Sequence, residues 1–144
     1  MTKKILYFAW PVLLIAALFA GKALLDESEK GPYAAGKRVY DTHCANCHME
    51  EGQGLRGLYP PVAHADYVAE RGAELACGII NGYAEPLVVN GQTYRQAMPP
   101  IEGLSDYEVT QVINYIKTAW GPQGEPVEFE NVQNTLTECA EAKQ

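Results

Sequence analysis

The sequence predicts an all-α domain that carries one small β-hairpin and follows an apolar N-terminal helix. Three observations lead to that class. Apolar residues recur at helical spacing in several stretches beyond residue 33, most clearly over 105–120. A serine-led capping box opens that last stretch. One Asn-Gly dipeptide between two short strand-like runs gives the strongest kind of short hairpin signal. The 144 residues are enough for one domain of ordinary size, and 47% hydrophobic with 20% charged residues is a globular composition, not a disordered or fibrous one.

The first segment is a leader. Residues 5–21 carry no charge, with Lys3-Lys4 before them and Lys22 after. Two readings compete. An uncleaved anchor needs ~20 apolar residues, and residues 5–25 supply them if Lys22 extends its ammonium to the interface, with Tyr7 and Trp10 in the interfacial belt. A secretory signal would be cut near Gly21-Lys22-Ala23, where the lysine is awkward. Both put the rest of the chain outside, because the lysines prefer the cytoplasmic side. The expected location is therefore the cell membrane, single-pass with the head on the periplasmic side, or the periplasm after cleavage. Residues 1–25 are thus the anchor or signal, 26–32 a charged linker broken by Gly31-Pro32, 33–120 the domain, and 121–144 an extension packed on it.

The charge is uneven. All 18 acidic residues lie from Asp26 onward, where only eight of the 11 basic ones are found, so residues 26–144 carry −10 of a total −7. A nucleic-acid binder would need a basic face, so that class of partner is excluded.

The elements follow in order. Residues 33–42 form a helix with Gly36 and Tyr40 on one face, running into a Gly-rich loop over 51–61. Asp66 is a plausible N-cap for a helical stretch in which Ala73, Cys77 and Ile80 align, with Gly82 just past its end. Leu87-Val88-Val89 and Gln92-Thr93-Tyr94 flank Asn90-Gly91 as the hairpin. Ser105 and Glu108 form the capping box of the clearest helix, whose stripe is Val109, Val112, Ile113, Ile116 and Trp120. Gly121-Pro122 stops it. Val132, Leu136 and Cys139 again fall at helical spacing.

One motif carries the chemistry: Cys44-Ala45-Asn46-Cys47-His48. C-x-x-C-H marks covalent haem attachment. The spacing suits two thioethers on one porphyrin edge, and the adjacent histidine can turn its imidazole under the iron. Half a zinc site or a thioredoxin-like dithiol are the alternatives. The first needs a second ligand pair, whereas Cys77 and Cys139 stand singly; the second wants a βαβ context. A second axial ligand should lie downstream. Among three methionines, Met1 is excluded by position and Met49 by following His48 directly, which leaves Met98 in Gln96-Ala97-Met98-Pro99-Pro100. Its thioether favours reduced iron and raises the potential, and the prolines stiffen its loop. His64 is the alternative ligand; His43 reads as a surface or loop residue.

With these residues in view, 33–120 resembles a class I, His/Met, monohaem c-type cytochrome. The Asn-Gly hairpin and tyrosine just before Met-Pro resemble bacterial, membrane-associated respiratory members. The resemblance implies an all-α class I fold around one covalent haem c, with the hairpin as an insertion. It implies that Gly36 and Tyr40 pack closely against Tyr115 or Trp120. It also implies that a backbone carbonyl of Pro60 or Pro61 accepts the N–H of the proximal imidazole.

Two cysteines remain. An exported compartment permits a disulfide between Cys77 and Cys139, which would clamp the C-terminal tail to the middle helix; two buried thiols are the alternative. No lysine, serine–histidine or paired-carboxylate constellation accompanies these motifs, so the chain reads as an electron-transfer protein and not an enzyme. Expected partners are a membrane-bound respiratory complex, either quinol-oxidising or a terminal oxidase, or a soluble redox protein. The residues 5–25 would meet the membrane. The alternatives are a cytochrome subunit of an exported dehydrogenase, a small haem enzyme with a labile Met98, or a haem sensor.

Overall fold

Two helices packed on one another, α1 (Ala34–His43) and α5 (Asp106–Thr118), form the centre of the architecture. The computed structural model describes residue 31 and residues 33–142; the leader of residues 1–25 lies outside the described residues, as does most of the linker. Among the described residues, no helix is long and apolar enough to cross a membrane.

The α1–α5 contact depends on Gly36. A Cβ there would run into the backbone carbonyl of Gln111 and into Cβ of Tyr115, so only glycine lets the backbones approach this closely. The space beside it is filled by Tyr40, fully buried, whose ring lies 5.5 Å from Tyr115 and 5.3 Å from Trp120. Tyr115 and Trp120 are themselves 5.6 Å apart and nearly edge-on. Tilted and edge-to-face rings at these separations add to what area burial alone contributes.

Helix α5 begins with the expected capping box. Ser105 Oγ accepts from the Glu108 N–H at 3.3 Å, and Glu108 Oε2 accepts from the Ser105 N–H at 2.9 Å. Its inward face is Val109, Val112, Ile113 and Ile116. We expect Ser105→Ala to destabilise the domain by about 1 kcal/mol in urea unfolding, the usual worth of an N-cap, with the visible spectrum unchanged.

Short elements wrap this pair. Helix α2 (Ala45–His48) follows α1 after Cys44 alone and ends at Met49, whose φ is 64°. The middle of the chain departs from expectation. Asp66 does not cap a long helix; it is the first residue of the single turn α3 (Asp66–Ala69), behind Ala65 at the cap position. After a break comes α4 (Leu75–Asn81), which contains Cys77 and Ile80 but not Ala73.

The break has a tertiary cause. Lys117, buried on α5, donates its ammonium to the carbonyls of Val68 (3.2 Å) and Arg71 (2.9 Å). The Gly72 N–H goes to the Glu74 carboxylate at 2.9 Å. These backbone groups are thereby taken out of an i to i−4 ladder. The Asp66 carboxylate serves the hairpin instead, accepting from the Asn90 N–H at 2.8 Å while the Asp66 N–H donates to Asn90 Oδ1 at 2.9 Å.

The hairpin pairs β1 (Leu87–Val89) with β2 (Gln92–Tyr94) antiparallel, Leu87 opposite Tyr94 and Val89 opposite Gln92. Asn90 and Gly91 both have positive φ, 52° and 75°, as a type I′ turn requires. Val89 and Tyr94 point into the core.

The C-terminal segment is stitched on by buried amides. Gln123 accepts from the Ala65 N–H at 2.9 Å and donates to the Ile116 carbonyl at 2.7 Å. Asn114 pairs with both backbone groups of Val127, at 3.0 and 2.7 Å. Helix α6 (Phe129–Glu141) then packs against α5 and α4 through fully buried Val132. A disulfide joins Cys139 of α6 to Cys77 of α4, with Cα atoms 5.9 Å apart.

Candidate metal centre

The interior contains an apolar cavity of about 150 Å³ that opens to the surface. Helices α1 to α5, the Gly-rich loop, the hairpin and the segment after it contribute walls. Cys44, Cys47 and His48 come from the end of α1 and from α2, Pro60 and Pro61 from the Gly-rich loop, and Ile113 and Ile116 from α5. Leu87, Val89 and Tyr94 come from the hairpin, and Met98 from the segment after it. His64 is not among the lining residues; its carbonyl accepts from Asn90 Nδ2 at 3.1 Å.

His48 is held in one orientation. Its Nδ1 lies 2.9 Å from the carbonyl oxygen of Pro60, which can only accept, so Nδ1 carries the proton and the Nε2 lone pair is left for a metal. Of the two prolines in the expected role, Pro60 makes this bond and Pro61 lines the cavity. Gly54 makes the approach possible. Its φ is 64°, its N–H donates to the His48 carbonyl at 2.9 Å, and a Cβ there would run into the carbonyls of Tyr59 and Pro60. Burial lowers the His48 pKa and so favours the neutral ligand form, opposed by the Pro60 bond.

The cysteines do not look like a redox dithiol. Burial first, then the neighbouring Cys47 charge, push the Cys44 thiol up to about 12. A nucleophilic thiol needs the opposite shift. Cys77 and Cys139 are bonded to each other, so they do not complete a zinc site with Cys44 and Cys47.

Met98 is fixed through its backbone. It exchanges two hydrogen bonds with Tyr83, both 2.9 Å, and the Ile101 N–H returns to the Ile79 carbonyl at 3.1 Å. Gly82, at φ 72°, turns the chain out of α4 where a Cβ would collide with the Met98 carbonyl. A flat apolar macrocycle fits this arrangement: a thiol pair at one wall, a metal-ready imidazole, and a thioether on a braced strand.

Residues 33–120 match the family model described as Cytochrome c. The chain belongs to the cytochrome c family. It is 33% identical over 112 residues to cytochrome c-552 of Thermus thermophilus, covering 75% of this chain and 71% of that protein. A second Thermus thermophilus cytochrome c-552 is 36% identical over 92 residues, 61% of this chain and 70% of the relative. The cytochrome c subunit of the quinone alcohol dehydrogenase of Gluconobacter oxydans is 32% identical over 102 residues, 69% of this chain but 20% of that subunit. The cytochrome is a class I c-type protein with covalently bound haem c, and it is an electron carrier.

Two phenols next to this site set an alkaline limit. Burial chiefly raises the pKa of both Tyr40 and Tyr83 well above the ordinary value near 10. Tyr40 donates its hydroxyl to the Met49 carbonyl at 2.7 Å. An acid whose folded pKa is raised favours folding fully below its unfolded value and less as pH climbs past it. Unfolding free energy should therefore fall from pH ~10 upward, and denaturant titrations at pH 9, 10 and 11 measure that decline.

Proposed function

We propose that this cytochrome passes single electrons on the outer side of a bacterial membrane, as a carrier or a fixed subunit of a respiratory complex. The carrying observation is that His48 and Met98 line the same apolar cavity as the thiols of Cys44 and Cys47. In this reading Cys44 and Cys47 would bear the haem through thioethers, and His48 Nε2 and the Met98 sulfur would be the ligands of its iron. Bound haem supplies the one-electron couple. The chain's own residues orient the proximal imidazole through Pro60, brace the thioether through Tyr83 and exclude water from the pocket. With both of these ligands supplied by the protein, no place at the iron would be left open for a substrate.

The uncharged run at residues 5–21 between lysines supports the location, and the −10 of residues 26–144 favours a partner with a basic face, such as a quinol-oxidising complex or terminal oxidase. A second reading, the cytochrome subunit of an exported dehydrogenase, is favoured by the match to the Gluconobacter oxydans subunit over 69% of this chain. Purification from native membranes separates the two by what co-purifies, a respiratory complex or a dehydrogenase subunit. The intact protein should stay in membranes after a high-salt wash. Release as a species starting near Ala23 or Leu24 would instead mean a cleaved leader, and recovery in the cytosol would overturn the location.

A further inference from the structure

The Met98 backbone is paired to one residue, Tyr83, so whatever fixes Tyr83 also fixes the Met98 strand. The Tyr83 side chain folds back onto Gly78 of α4, where a Cβ would overlap the phenol. Its ring stands edge-on to Tyr67, centroids 5.9 Å apart at 87°. The Arg71 guanidinium covers the Tyr67 ring at 3.6 Å from the centroid. The Arg71 backbone is itself pinned, since its carbonyl accepts from buried Lys117 at 2.9 Å. A continuous stack thus runs from α5 to Met98: ammonium to carbonyl, guanidinium to ring, ring to ring, and backbone to backbone. Tyr67 and Tyr83 line the haem cavity beside Met98, whereas Arg71 is not among its lining residues.

We propose that Arg71 is a positioning residue for the axial methionine, acting through Tyr67 and Tyr83 to hold the Met98 strand against the haem. The proposal rests on the reading of Met98 as the iron ligand. A cation over an aromatic face is attracted to the ring, and more strongly when shielded from water. Losing it lets Tyr67 and then Tyr83 relax, so the strand carrying the sulfur leaves the iron more often.

The test uses the full-length holoprotein with Arg71→Gln. Two readouts are the temperature at which the long-wavelength Met–iron band is lost, compared with global melting by circular dichroism, and the rate of carbon monoxide binding to the reduced form. The band should disappear at lower temperature than in the parent, separating further from global melting. Carbon monoxide should bind roughly three- to tenfold faster, the size a contact of this kind sets. Arg71→Lys keeps the cation without the planar stack and should recover part of the loss.

Tyr67→Leu should reproduce the effect, and it carries the test alone if Arg71→Gln does not accumulate. Adding Arg71→Gln to Tyr67→Leu should change the carbon monoxide rate less than twofold, as a double-mutant cycle requires of residues on one path. A full additional effect overturns the proposal. So does a lowered potential with band and carbon monoxide rate at parent values, which marks a through-space charge alone. Met98→Ala in the parent background separates the premise: if it leaves the band in place, Met98 is not the ligand and the proposal falls through Met98, whatever Arg71 does.

Discussion

Under the proposed ligation, Met98→Ala should abolish the long-wavelength Met–iron band, open the reduced haem to carbon monoxide and lower the midpoint potential. The sulfur stabilises Fe(II) over Fe(III), so its loss favours the oxidised state. Axial ligand choice spans about 0.8 V across haem proteins, and the expected drop is on the order of 0.1 V or more. Neither His64 nor Met49 is positioned to take its place. His64 stands outside the cavity with its carbonyl tied to Asn90, and Met49 follows directly on His48. A redox titration and spectrum unchanged from the parent would reject the ligand assignment.

Cys77→Ser should cost the domain about 4 kcal/mol, because the disulfide closes a loop with a sequence separation of 62 residues. For a domain of this size that is a drop in melting temperature on the order of 10–20 °C. The damage should begin in α6, which is fastened to α4 by this bond and by the burial of Val132. Cys139→Ser should give the same loss, and the double variant no more than either single one. Equal melting temperatures for parent and variant in oxidising buffer would count against the bond. In reducing buffer the two proteins should converge.

What could be read from the sequence is what is local in the chain. The Cys44 to His48 motif, the Ser105–Glu108 box and the Asn90-Gly91 turn each lie within a few residues, and each forms in the structure. Met98 could be singled out because so few methionines compete with it. The break between Ala69 and Leu75 could not, because its cause is an ammonium 46 positions away in Arg71's case and 49 in Val68's. Lys117 gives no signal in the sequence, since at helical spacing a lone lysine looks like a solvated one. Asp66 misleads for a similar reason: a carboxylate before an apolar run resembles a cap, whereas in the structure it pairs with the turn at Asn90. The choice between Pro60 and Pro61 needed the loop's path over Gly54. Arg71, Tyr67 and Tyr83 carry no spacing signal that would mark them as one stack.

The depth of Cys44 bears on the order of events in the protein's manufacture. The residue is 8% exposed and burial pushes the thiol up to about 12, so the free thiol is shielded and stays protonated near neutral pH. Bond formation to the porphyrin is therefore expected while the polypeptide is still open, with collapse following attachment.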